Sequence, residues 1–152
     1  MIELDIFSDT ICPWCYIGKK RLDKAIQKYP GISIKQTWRP FQLNPAMPAE
    51  GMDRQEYLVS KFGSSDAVKT IYDNIYEEGL KEGIEFNFDA IETTPNSFNS
   101  HRLLALAYRY DAQDQILEDL FESYFIRGED IGNPNILLSI AVNNSLNEEE
   151  LK

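Results

Sequence analysis

The only two cysteines of the chain, Cys12 and Cys15, stand in Cys12-Pro13-Trp14-Cys15, with two residues between them. A pair at that spacing can open and close a disulfide, so the chemistry it offers is thiol–disulfide exchange. Pro13 suits the first position of a helix, where its missing N–H would be unpaired anyway and its fixed φ is already helical. Cys12 then falls at the helix end, where unpaired N–H groups and the helix dipole stabilise a thiolate. In C-x-x-C sites this brings a thiol pKa from about 8.5 into a range of roughly 3.5 to 7.5. Cys12 is therefore the expected attacking sulfur. Cys15, one turn on and in line with Gly18, Leu22, Ala25, Ile26 and Tyr29, is expected to face the core and resolve a mixed disulfide from behind.

Two other uses of such a pair are weighed against this one. A structural disulfide of this span closes a loop too short to constrain the unfolded chain usefully. Structural zinc takes four ligands, mostly Cys and His, and the sole histidine, His101, lies far along the chain in a helix-like segment. No metal site is expected.

The elements that must position the dithiol can be read on either side of it. Residues 2 to 7 alternate apolar and acidic side chains, the pattern of a strand with one buried face. A helix should run from Pro13 to Tyr29 and stop at Pro30-Gly31. A second strand follows from Ile32 to Trp38, before Arg39-Pro40-Phe41. Strand, helical crossover and strand make a βαβ unit with parallel strands, and the dithiol sits at the carboxyl end of the first strand, where open α/β sheets place their sites. From Asn44 the pattern changes: a Pro- and Gly-rich connector gives way to helical periodicity. Helices are expected over 53–62, 66–81, 96–110, 114–127 and 135–142, with a short extended segment at 84–88 and Asn96 as a cap. Asn147-Glu148-Glu149-Glu150 reads as another helix opening, in which Glu150 reaches back to the cap. The chain then stops after too few residues for a helix to stand alone, as if inside a longer element.

At 152 residues and 43% hydrophobic content the chain can bury one core or two small lobes. Fifteen Lys and Arg against 25 Asp and Glu give a net charge of −10, which argues against nucleic acid or anionic membrane as a partner. Residues 13 to 29 depart from this, with Lys19, Lys20, Arg21, Lys24 and Lys28 against Asp23 alone. That run is expected to be a solvated helix face, or else to favour the thiolate and attract an anionic thiol such as glutathione. Met1 leads straight into the first strand, with no basic start and no long apolar run. A cytoplasmic setting is expected.

Asp9 to Lys19, then Trp38-Arg39-Pro40-Phe41-Gln42-Leu43-Asn44-Pro45, then Pro95-Asn96-Ser97 with His101-Arg102-Leu103-Leu104 and Tyr124-Phe125, together resemble the DsbA-like thioredoxin-fold oxidoreductases. The likeness is to the FrnE branch, which neighbours the 2-hydroxychromene-2-carboxylate isomerases, and it runs in order along essentially the whole chain. It implies an α/β fold in which a thioredoxin-like βαβ unit, residues 1–44, is followed by a large all-helical insertion, residues 45–152. The family's third and fourth strands, its cis-proline and its final helix have no counterpart in this sequence, so the C-terminal hairpin of the fold is expected to be missing. A bare strand edge, and with it a homodimer or swapped assembly, is expected to follow.

The resemblance implies exchange through Cys12 and Cys15, with no cofactor beyond the redox-active disulfide and with glutathione as a conceivable co-substrate. Partners would be thiol or disulfide proteins or small thiols. Pro13, Trp14, Arg39 and Asn96 are the expected substrate-groove residues, and His101 is expected only to bond between elements. The alternatives are a glutathione-dependent isomerase or transferase of a small aromatic substrate, and a catalytically impaired binding or chaperone fragment.

Overall fold

In a computed structural model, which describes residues 1–151, the two alternating runs form strands β1 (Ile2–Ser8) and β2 (Ile34–Pro40). They pair in parallel, with Ile2 opposite Ile34 and Ser8 opposite Pro40. Between them runs α1 (Pro13–Gln27), opened by Pro13 as expected and ended two residues before Tyr29. The Ile2 N–H donates to Ser33 O at 2.9 Å and the Phe41 N–H to Ser8 O at 3.2 Å. Odd-numbered main-chain groups of β2 therefore face β1, and even-numbered ones face outward. On that outer side Gln113 takes both groups of Trp38: the Trp38 N–H donates to Gln113 Oε1 at 2.9 Å, and Gln113 Nε2 donates to Trp38 O at 3.2 Å. Among the described residues β1 has no second strand partner. Its Phe7 side chain is 69% exposed.

The rest of the chain is helical, as the change of pattern near Asn44 predicts: α2 (Arg54–Phe62), α3 (Ser65–Lys81), α4 (Phe98–Tyr108), α5 (Gln113–Phe125) and α6 (Pro134–Asn143). The βαβ unit and the large helical insertion of the expected fold class are both present. Asp53 and Ser64 cap α2 and α3 by accepting the N–H of Glu56 and Ala67, the standard side-chain solution for unpaired N–H groups. Two expectations are corrected and one element is new. Residues 84–88 form no strand; Phe86 and Phe88 turn inward onto an aromatic cluster, and a single 3₁₀ turn covers Phe88–Ala90. A two-residue antiparallel ladder that no pattern announced, β3 (Met52–Asp53) with β4 (Thr93–Thr94), ties the start of α2 to the approach of α4. At the end, Glu148–Leu151 is a 3₁₀ turn in which Asn147 accepts the Glu149 N–H. Glu150 there accepts from Tyr110 instead of reaching back.

One apolar cluster joins the two regions. Tyr16 and Ile17 of α1 and Trp38 of β2 pack with Ile116, Leu117, Leu120, Phe121 and Phe125 of α5. The Tyr16 ring stacks on Phe121 with centroids 4.8 Å apart, a preferred offset arrangement worth about 1 kcal/mol beyond burial. No helix among the described residues is long and apolar enough to cross a membrane.

The inward face of α1 is not the stripe expected. Gly18 and Ala25 are exposed, while Tyr16, Ile17 and Lys19 are buried. Lys19 is accommodated because Glu118, Asp114 and Asp23 surround its ammonium at 2.9, 3.2 and 3.2 Å. Three of the other basic residues are also engaged, Lys20 with Glu118, Arg21 with Glu78 and Lys24 with Glu82, while Arg21, Lys24 and Lys28 stay exposed. The run is thus a largely solvated face, as expected, that also clamps α1 to carboxylates of α5 and of the end of α3. Removing one partner of a buried pair costs more than removing the charge itself. Glu118→Ala should destabilise by about 3 kcal/mol, while Lys19→Met, which keeps the stem and deletes the ammonium, should cost far less. Urea unfolding of both variants checks the order.

Candidate redox site

Cys12 is the N-cap of α1, with extended backbone at φ −98° and ψ 115°, and Pro13 follows in the first turn. Its carbonyl accepts the N–H of Cys15 at 3.1 Å and of Tyr16 at 3.3 Å, while its own N–H donates to Asp9 O at 3.2 Å. The loop 9–12 is therefore fixed at both ends, by the last strand residue on one side and the first helical turn on the other. Both thiols are free and half-buried. Cys15 touches the core, as expected of the inner sulfur. Trp14, 43% exposed, stands beside them at the surface.

The two thiols influence each other's ionisation. The Cys15 thiol lies below the ordinary thiol range, first because Cys12 keeps its hydrogen and turns it toward Cys15; burial opposes this, the Asp9 backbone assists, and the Asp9 charge opposes. Cys12 is raised in turn, by its interaction with Cys15 and by burial, and the nearby backbone of Cys15 and Trp14 only partly offsets this. In this arrangement the charge falls on Cys15, the reverse of the sequence expectation that Cys12 carries the thiolate.

Behind the dithiol lies a polar cluster that the sequence did not announce. Asp9 is 1% and His101 7% exposed. Asp9 Oδ2 accepts the Leu43 N–H at 2.8 Å, and Oδ1 lies 3.2 Å from His101 Nε2. The same nitrogen is 3.0 Å from Phe41 O. A carbonyl only accepts, so Nε2 carries a hydrogen and shares it between the two oxygens. Burial pushes the Asp9 carboxyl up, but hydrogen bonds from His101, Leu43 and Ser97, with the His101 charge, outweigh it and hold Asp9 below its ordinary value. Alongside, Ser100 donates to Ser97 O at 2.7 Å, so Thr10, 2.7 Å away, is the donor to Ser100. An acid three residues before a C-x-x-C, and the one histidine of the chain, were the available signals. Their meeting depends on a 92-residue separation.

The remaining candidates are placed as follows. Arg39 pairs with Asp5 across the strands at 3.1 Å, with both side chains at least half exposed, where such a pair contributes under about 1 kcal/mol. Asn96 joins the connector to the start of α4: it donates to Met47 O at 2.7 Å, and its Oδ1 accepts from Gln42 and from the Phe98 N–H. Thus Asn96 does serve the helix start, although Ser97 is the cap residue. On α3, Tyr72 carries the Arg54 guanidinium over its ring at 4.7 Å. No group of three or more His, Cys, Asp or Glu suited to a metal ion occurs among the described residues.

Residues 3–152 match the family model described as the DSBA-like thioredoxin domain. The chain is 22% identical over 140 residues to the uncharacterized protein YwbO of Bacillus subtilis, covering 92% of this chain and 64% of that protein. A crystal structure from Streptomyces coelicolor, described as a probable DsbA oxidoreductase, superimposes with TM-score 0.89 at 26% identity, over 99% of this chain and 66% of that one. A 2-hydroxychromene-2-carboxylate isomerase structure matches in fold, with TM-score 0.55 at 12% identity, over 99% of this chain and 69% of its own. The chain therefore spans just under two thirds of the length of the first two. The family match and the Streptomyces structure overturn the cytoplasmic expectation, because DsbA-family oxidoreductases of this fold are characteristically periplasmic or secreted. An oxidising space is where a cysteine pair can be held as a disulfide, and the alternation of residues 2–7 is a strand signal that carries no address.

Proposed function

Since the chain belongs to the DsbA-like thioredoxin-domain family, we propose that it is a thiol–disulfide oxidoreductase of the FrnE branch that works through Cys12 and Cys15. The observation that carries the reading is Cys12 at the N-cap of α1, with a second free thiol, Cys15, one turn away. In the reducing direction the Cys12 thiolate attacks one sulfur of a substrate disulfide. A mixed disulfide forms and the other substrate sulfur leaves as thiolate. Cys15 loses its proton and attacks the Cys12 sulfur, closing Cys12–Cys15 and releasing the second substrate thiol. The substrate gains two electrons and the protein loses two; the oxidising direction is the reverse.

Pro13 and Trp14 border the approaching substrate, protein or small thiol. Asn96 and Arg39 stand further out, Asn96 holding the connector in place. Residues 1–44 act as the thioredoxin-like half and residues 45–152 as the helical unit that covers it. A glutathione-dependent isomerase reading rests on fold likeness alone, and cysteine at the first position of the motif favours redox chemistry over it. Insulin reduction in the presence of dithiothreitol tests the proposal. Precipitation of the insulin B chain well ahead of the reductant-only control is expected, and a time course that overlays the control would reject it.

A further inference from the structure

We propose that a cavity in the helical region, between α2, α3 and residues 86–92, binds a short peptide with an aromatic or apolar C-terminal residue. Arg54 takes the terminal carboxylate, and an acidic rim takes the free amino group. No residue of the dithiol lines this cavity, and the inference goes beyond the reading above. Its volume is about 820 Å³, within the range of small-molecule sites, about 300–1,000 Å³. Leu58, Val68 and Phe86 are buried in its floor, and Tyr72, Tyr76 and Phe88 are half-buried beside them. The exposed rim carries Asp53, Asp89 and Glu92, together with Lys69, whose charge is already matched by Asp73. An apolar floor thus lies under a rim of excess negative charge, with one half-buried arginine between them.

The chemistry of the cavity turns on that arginine. The Arg54 main chain is fixed, because its N–H donates to Glu92 O at 2.9 Å beside the β3–β4 ladder. Its guanidinium lies 4.7 Å from the centre of the Tyr72 ring and 5.3 Å from that of Phe88, and those rings meet edge to face at 4.8 Å. Ring faces hold the charge in place without satisfying the N–H fork. The other arginines are engaged: Arg21, Arg39, Arg109 and Arg127 with carboxylates, and Arg102 with Asn99. Arg54 meets no carboxylate among the described residues, although three stand on the same rim; Asp53 is turned instead to the Glu56 N–H as the cap of α2. A planar fork held open in this way matches a carboxylate through two parallel hydrogen bonds. Phosphate matches the fork too, but its greater charge is set against the rim carboxylates. A carboxylate carries less of that repulsion, and a ligand that also bears an ammonium group turns the rim to its advantage. A peptide terminus with an aromatic side chain supplies all three features that the cavity complements.

The test is titration calorimetry of the full chain with the tripeptide alanyl-alanyl-phenylalanine, with its C-terminal amide and with its N-acetyl form. The peptide carries no sulfur, so the dithiol plays no part in the measurement. The free peptide should bind, and the amide should bind about tenfold more weakly or worse, the loss expected when a charge-assisted hydrogen bond is removed. The acetylated form should be weaker by about two- to fivefold, in keeping with an exposed rim contact. Arg54→Gln keeps an amide donor but no charge, so it should bind the acid no better than the amide. Asp89→Asn combined with Glu92→Gln should likewise remove the difference between the free and acetylated forms. Far-UV circular dichroism reports whether each variant folds. If Arg54→Gln does not fold, the comparison of acid with amide on the unsubstituted protein decides alone, a tenfold difference supporting the site. No binding at millimolar peptide, equal affinity for acid and amide, or a folded Arg54→Gln protein that still separates the two overturns the proposal.

Discussion

Cys12→Ser is expected to reduce disulfide exchange to the reductant-only background, whereas Cys15→Ser should accumulate mixed disulfides with substrate. The asymmetry follows from position. Cys12 lies at the helix end as the N-cap, beside the exposed Trp14; Cys15 is one turn inward against the core. Without Cys12 the sulfur at the helix end is gone and the first covalent bond does not form. Without Cys15 that bond forms, but a serine hydroxyl cannot displace it, and the adduct persists. Intact mass measured without reductant reads the difference directly, as the mass of one substrate chain added to Cys15→Ser and none added to Cys12→Ser. Adducts on both variants in equal amount would show that the two sulfurs are interchangeable and that the helix end confers no preference.

The second large effect concerns association of residues 1–152. The outward main-chain groups of β1 belong to Glu3, Asp5 and Phe7, since Ile2 and Ser8 bond toward β2, and they meet no partner strand among the described residues. Exposed apolar side chains on that strand, Ile2 at 48% and Phe7 at 69%, add to the inducement. An unpaired edge of this kind recruits another chain. We expect light scattering to report a mass that rises with protein concentration toward a dimer. Asp5→Pro, which deletes one outward N–H and leaves the β1–β2 bonds intact, should return the protein to monomer. A concentration-independent monomer for the unsubstituted protein would dispose of the idea.

Local chemistry made part of this molecule legible. Pro13 at the head of a helix, the alternation of Ile2, Leu4 and Ile6, and the polar residues before α2 and α3 act over a few residues, and the structure follows them. What could not be read depends on distant partners. Lys19 looks like a surface lysine until Asp114 and Glu118, nearly a hundred residues later, are folded against it. Ile84 to Phe88 alternate like a strand, yet with no neighbouring strand to receive them the phenylalanines are better used in the aromatic core. The β3–β4 ladder has two residues a side, too few to leave a period. His101 reads as a helix residue that bonds between elements, and so it does, but only the arrival of α4 behind the 9–12 loop shows that its partners are Asp9 and Phe41.

The Gln113 side chain has a consequence for how such molecules can assemble. By occupying both main-chain groups of Trp38 it covers the carboxyl-terminal half of the outer side of β2, and Pro40, the next outward residue, has no N–H to offer. Only Ile34 and Gln36 keep outward groups on that strand, against Glu3, Asp5 and Phe7 on β1. Two copies meeting through β1 would be related by a two-fold axis, each covering the longer margin of the other. One glutamine amide, placed from another element, thus makes the two margins of the sheet unequal and favours a pair of chains over a filament.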